Sequence, residues 1–106
     1  MLFDIHNAPD GTVVRCSGRI VQGDGADELL RTVMSQDSRQ IRIDLSRVSA
    51  IDAGGLGALV ALEGWARRTR RAIQLISPSQ HVRAALATTG LNSIFQVCPS
   101  TRGEAA

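Results

Sequence analysis

Stretches with the period of a strand and stretches with the period of a helix take turns along this chain, and that alternation restricts its fold more than any other feature. Ile41, Ile43 and Leu45 alternate with Gln40, Arg42 and Asp44, the two-residue period of a half-buried strand. Upstream, Ala26, Leu29, Leu30, Val33 and Met34 recur at helical spacing and form one apolar stripe. Asp27 and Glu28 sit in the first turn of that helix, where its dipole favours acids, and Asp24 in the joint Gly23-Asp24-Gly25 is the expected N-cap. Downstream, Gly54 opens a second helix that should end near Arg71, and Ile73 to Ile76 reads as a nearly all-apolar strand. Ser77-Pro78-Ser79-Gln80 reads as a capping box with proline at the first helical position. Val82, Ala85 and Leu86 then supply a third helix with its buried stripe, and Gly90 ends it.

The ends of the chain complete the pattern. Leu2 to Ile5 and Thr12 to Ser17 read as short strands around the turn Asn7-Ala8-Pro9-Asp10-Gly11, with Gly18-Arg19-Ile20 following. Ser46 to Asp52 reads as a loop, and Phe95-Gln96-Val97 as a last edge strand. Strands separated by helices require right-handed crossovers and a mostly parallel sheet, to which the opening hairpin adds an antiparallel strand. The expected fold is therefore α/β, a mixed β-sheet with helices packed mainly on one face. One domain over residues 1–99 and a flexible C-terminal tail over 100–106 are expected.

Composition removes several classes of function. A chain of 106 residues with 43% hydrophobic and 21% charged residues forms one packed core, which excludes a two-domain enzyme and a disordered chain. No apolar run approaches the roughly 20 residues of a membrane span, so direct membrane insertion is not expected. Met1-Leu2-Phe3-Asp4 lacks the basic and then apolar order of a secretion signal, so the expected location is cytoplasmic. All 12 basic residues are arginine, which excludes lysine Schiff-base chemistry and a phosphate loop of the Walker type. A net charge of +2, the absence of tyrosine and an aromatic content of 3% argue against a nucleic-acid partner. The run Arg67-Arg68-Thr69-Arg70-Arg71 reads as a solvated helix end.

Catalytic and metal chemistry find no foothold. His6 and His81 lie on different elements, with no nucleophile motif beside either. Cys16 and Cys98 form no paired motif and read as two free buried thiols, and no cluster offers a metal site. Asp44 and Asp52 flank one segment and could be imagined as a catalytic carboxylate pair, but Asp52 is better placed as the cap of the helix at Gly54. No enzyme, cofactor or metal is expected.

The informative stretch runs Asp44-Leu45-Ser46-Arg47-Val48-Ser49-Ala50-Ile51-Asp52-Ala53-Gly54-Gly55-Leu56-Gly57: a strand ends, the chain turns, and glycines open a helix. The start of a helix exposes free N–H groups that can hold an anion. The dinucleotide fingerprint fails here, because Gly55 and Gly57 are followed by Val60 where a third glycine is required. Gly55, Ala58, Leu59, Leu62, Trp65 and Ala66 share one face of the helix and form its core stripe. Glu63, Arg67, Arg70 and Arg71 make the later part of the opposite face polar. Its early part (Ala53, Leu56, Gly57, Val60 and Gly64) is apolar or small, a strip suited to protein docking.

These residues resemble the STAS domain of anti-sigma factor antagonists over nearly the whole chain. The resemblance is carried by Gly18-Arg19-Ile20, the strand running into Asp44-Leu45-Ser46, the segment Ile51 to Gly57, and the late Thr89-Gly90-Leu91-Asn92-Ser93-Ile94-Phe95. It implies a bacterial transcription regulator that works by partner switching, docking on an anti-sigma factor kinase of the histidine-kinase-like ATPase type and so freeing a sigma factor. The implied contact residues are Asp52, Ala53, Gly54, Gly55, Leu56, Gly57, Val60, Glu63 and Arg67. In that family the motif reads Asp-Ser-Ser-Gly or Asp-Ser-Thr-Gly, and its second hydroxyl is phosphorylated to break the complex, a local charge switch. Here Ala53 and Gly54 occupy the two positions, so the site equivalent to the phosphoacceptor, Gly54, carries no hydroxyl. Ser46 and Ser49 are the nearby hydroxyls that could substitute, though serines there ordinarily serve turns. The resemblance also leaves open weak nucleotide binding at the helix start. The alternative it implies is a small cytoplasmic STAS subunit of an ABC-type lipid transporter.

Overall fold

The computed structural model describes residues 1–98; Pro99 and the expected tail over 100–106 lie outside the described residues. The elements run β1 (Leu2–Ala8), β2 (Gly11–Ile20), α1 (Ala26–Met34), β3 (Gln40–Ile51), α2 (Ala53–Arg68), β4 (Ala72–Ile76), α3 (Gln80–Thr89), a 3-10 turn over Leu91–Ser93 and β5 (Gln96–Cys98). The sheet order is β1-β2-β3-β4-β5. β1 and β2 form an antiparallel hairpin, and every later pair is parallel. The mixed sheet follows from the connections: Pro9 and Asp10 alone join β1 to β2, whereas a helix or a helix with its 3-10 turn separates each later pair.

The period-two pattern of the strands sets the two faces. Val14 and Cys16 of β2, Ile41, Ile43 and Leu45 of β3, and Ile73 and Leu75 of β4 join one core with Leu29, Val33, Leu59, Leu62, Val82 and Leu86 of the helices. The residues between them on the strands form a polar face. There Arg42 Nε donates to Gln74 Oε1 at 3.2 Å, and Arg15 lies 3.8 Å from Asp44. All three helices thus cover one face of the sheet, as the sequence pattern predicts. Surface ion pairs of this kind add little stability, so the apolar face holds the domain together.

Several local expectations need correction. The segment from Ser46 is strand rather than loop, because β3 continues to Ile51 alongside the second half of β2 (Ser17↔Arg47 to Ile20↔Ile51). Register shifts between Arg15 and Ser17 and between Gly18 and Arg19 break the alternation there, and a broken period reads as loop in a sequence. Gly18-Arg19-Ile20 belongs to β2. Asp24 does not cap α1: Gly25 holds that position at φ 100, and Asp24 closes a turn with Val21 through two backbone bonds of 3.0 Å. Ser79, not Ser77, caps α3, its hydroxyl accepting from the Val82 N–H, so Pro78 lies before the cap. Helix α2 stops at Arg68, Met34 is 39% exposed, and the last strand begins at Gln96 while Phe95 is buried. Gly90 ends α3 in the left-handed conformation, as expected.

Cys16 is buried and Cys98 half-buried, both free. Burial, reinforced by the Asp44 carboxylate, pushes the Cys16 thiol up to about 12. Cys16 should therefore resist alkylation at pH 8 in the folded protein and react only after denaturation, which a mass-resolved thiol-labelling time course checks.

Candidate docking site at the start of the second helix

Three pieces of backbone meet where α2 begins, and one carboxylate joins them. Asp52 follows β3 in an extended conformation (φ −121, ψ −172), which turns its side chain back onto the helix it precedes. Its Oδ1 accepts from the Gly55 N–H at 2.9 Å, the expected N-cap bond. The Gln22 N–H, in the turn after β2, lies 3.1 Å from both carboxylate oxygens. Asp52 also donates its own N–H to the Ile20 carbonyl at 3.4 Å. Hydrogen bonds from Gly55 and then Gln22 hold the carboxyl below its ordinary value of 3.8, since they favour the charged form.

Glycines allow this approach. A Cβ on Gly55 would run into the Ile20 carbonyl oxygen and lie 2.8 Å from Ile51 Cγ1. A Cβ on Gly54 would lie 2.5 Å from Gln22 Cβ and 3.0 Å from Gln22 Cα, neither of them the movable end of a side chain. Position 54 is thus occupied, sterically, by the turn that follows β2. Gly57 differs: a Cβ there would meet nothing within 4 Å. Its glycine costs helix stability without any packing need inside the chain.

The structure divides the apolar strip. Ala53, Gly57 and Val60 (38% exposed) lie at the surface and Gly64 is half-buried. Leu56, expected on that strip, is 8% exposed and belongs to the core. Helix α1 lies alongside α2, which widens the buried face beyond the stripe that periodicity marks. Of the core stripe, Gly55, Ala58, Leu59, Leu62 and Ala66 are buried, while Trp65 is half-buried with the Arg71 guanidinium 4.9 Å over its ring. Glu63 accepts from Arg67 Nε at 3.1 Å one turn along, at the rim of the strip. Ser46 and Ser49 are exposed on β3, with the Ser49 hydroxyl donating to the Gly18 carbonyl at 3.3 Å. Asp44 and Asp52 do not act as a pair: Asp44 is engaged by the Ser46 N–H at 2.9 Å and by Arg15 on the polar sheet face.

Gln22 is the residue that the sequence does not announce. No motif marks it, and its role comes from the backbone N–H that any residue but proline would offer. The usable signal is indirect, in an N-cap carboxylate with acceptor capacity left over and a glycine one step into the helix. Among the described residues no three histidine, cysteine or acidic side chains converge to hold a metal, and no helix is long and apolar enough to cross a membrane.

Fold and site together define a small mixed-sheet α/β domain that presents a carboxylate-capped, glycine-rich helix start at its surface. The chain belongs to the STAS-domain family described as Mlab, STAS domain, which it matches over residues 3–97. It is similar in structure to a Thermotoga maritima protein described as an anti-sigma factor antagonist, at 22% identity and a TM-score of 0.84, covering 97% of this chain and 90% of that one. It is likewise similar to an anti-sigma factor antagonist from Mycobacterium paratuberculosis, at 20% identity and a TM-score of 0.77, over 96% of this chain and 88% of that one. The Bacillus cell fate determinant SpoIIAA in its phosphorylated form matches at 17% identity and a TM-score of 0.71, over 98% and 96%. At these identities the shared property is the fold.

Two measurements test this geometry. Gly54→Ser should cost about 1–3 kcal/mol in urea unfolding because Gln22 must give way, whereas Gly57→Ala should add about 0.5–1 kcal/mol. The Asp52 carboxyl titrates lower folded than unfolded, so its stabilisation is complete above the unfolded value and fades as pH falls through the folded one. Asp52→Asn should therefore lower the Tm at pH 7, with the gap to wild type closing below about pH 4 in a pH series of thermal melts.

Proposed function

We propose that this chain is a protein-interaction module of the anti-sigma factor antagonist type, docking through the start of α2 on an anti-sigma factor kinase of the histidine-kinase-like ATPase class. The observation that carries the reading is the exposed strip Ala53, Gly57 and Val60 on a helix whose other face is committed to the core. A bare glycine and a protruding valine let a partner's backbone come close, while the Glu63–Arg67 pair supplies a polar rim. Asp52, Gly54 and Gly55 hold the strip in place, and Leu56 supports it from beneath. Membership of the STAS family and structural relatives described as anti-sigma factor antagonists support the same role. The chain acts by binding rather than by catalysis, in the cytoplasm, as one domain over residues 1–99.

Regulation would differ from that of the phosphorylated relatives. At the position equivalent to their acceptor this chain has Gly54, pressed against Gln22, and before it Ala53. Docking would then persist where a phosphate would otherwise break it, since no hydroxyl is available to carry about −1.5 to −2 charges into the interface. The same observation favours a second reading, a small cytoplasmic STAS subunit of an ABC-type lipid transporter, an assembly in which a permanent grip needs no phosphorylation step.

Affinity capture on the full chain beside Val60→Glu, with bound proteins identified by mass spectrometry, separates the two. Val60→Glu should abolish partner capture while changing unfolding free energy by less than about 0.5 kcal/mol. A histidine-kinase-like ATPase lost in the variant is the expected outcome. A transporter ATPase lost in its place would select the second reading, and capture unaffected by the substitution would remove α2 from the interface.

A further inference from the structure

Strand β1 is one edge of the sheet, and the short strand β5 is the other. Strand β1 pairs with β2 on one side, and among the described residues no strand pairs with its other side. Natural edges are commonly blunted by bulges, prolines, lysines or a covering segment. Here the β1–β2 register runs unbroken from Leu2↔Ser17 to Ala8↔Gly11, and Pro9 falls just past the strand. Leu2 is 74% and Ile5 39% exposed.

The hairpin fixes which backbone groups look outward. Ala8 and Gly11 flank a two-residue turn, so they exchange hydrogen bonds, and so do the alternate pairs His6–Val13 and Asp4–Arg15. Phe3, Ile5 and Asn7 therefore direct their N–H and C=O groups off the sheet. Antiparallel pairing with a second copy uses all three residues in one register, Ile5 opposite Ile5 and Phe3 opposite Asn7. In that register Asp4 of each copy lies opposite His6 of the other. A shift of two residues one way sets Asp4 against Asp4, and a shift the other way takes Asp4 away from His6, so the polar order of the strand favours the centred register. Within one chain Asp4 Oδ2 and His6 Nε2 already lie 3.2 Å apart, and Arg15 is the partner of Asp4 on β2.

We propose that β1 is a homodimerisation edge: two copies pair antiparallel about a twofold axis at Ile5, with reciprocal Asp4–His6 contacts, and join their sheets into one of ten strands. The patch is self-complementary, as a twofold interface requires. Helix α2 packs on β3 and β4 and is no part of this pairing edge, so each copy in a dimer would carry its own docking strip.

Sedimentation equilibrium of the full chain, loaded from about 10 μM to about 1 mM, suits an edge interface, which buries less than a standard one and associates weakly. The expected mass rises from that of one 11.3 kDa chain toward twice that value. His6→Asp, which sets two carboxylates opposite each other, should weaken association by about tenfold or more, and the exchange Asp4→His with His6→Asp should restore it. Ile5→Pro removes one outward N–H and should leave a monomer whose circular dichroism matches wild type. A wild-type mass of one chain throughout the range would overturn the proposal. So would association that His6→Asp and Ile5→Pro, both folded, leave unchanged, since the contact would then lie elsewhere.

Discussion

The Asp52 carboxylate is the contact on which the geometry of the site depends. It receives N–H groups from Gly55 and Gln22, and so binds the first turn of α2 to the turn after β2 while its own backbone ends β3. Helix α2 has no acidic residue in its first turn, which leaves Asp52 as the negative group at the positive end of the helix dipole. The bond network keeps that carboxyl ionised, and an ionised carboxylate is the form that can accept from two backbone donors at once. Gly54 and Gly55 are the condition for it, because a side chain at either would hold the β2 turn too far away.

This arrangement explains a helix that is poor by propensity. Glycine in a helix interior costs about 1 kcal/mol relative to alanine, and α2 contains four, at 54, 55, 57 and 64. The helix stands on packing: Leu56, Leu59 and Leu62 are all buried against the sheet and α1. Two of the glycines are used inside the molecule, at Ile20 and Gln22. Gly57 is not, since a Cβ there would meet nothing within 4 Å. Gly54 carries a double meaning. Chemically it carries no hydroxyl, and sterically the close approach of Gln22 leaves little room for one.

Much of this was legible from residue order. The alternation of periods marked the strand segments and three helices with most of their core-facing positions, because such positions must repeat every two or 3.6 residues whatever the fold. The Asp52 cap was legible because a helix needs an acceptor for its first N–H groups, and Gly90 because a left-handed helix end favours glycine. What misled was chemistry that several neighbours satisfy equally well. Asp24 and Ser77 are both good caps by type, yet backbone geometry places Gly25 and Ser79 at the two helix starts. Likewise the Ser46–Ile51 stretch lacks a clean period because bulges in its pairing with β2 shift the register.

Residue types and their spacing alone determined the fold class, most of the buried stripe of each helix, the absence of a hydroxyl at 53 and 54, and the surface position of Val60. These are properties of one segment and the period it obeys. The tertiary structure decided that Leu56 is core, that β3 reaches Ile51, that Gln22 closes over Gly54, and that Asp4 and His6 share an edge strand of the sheet. Each of those depends on which element lies beside another, and a period records which way a side chain points without recording how far its neighbour extends.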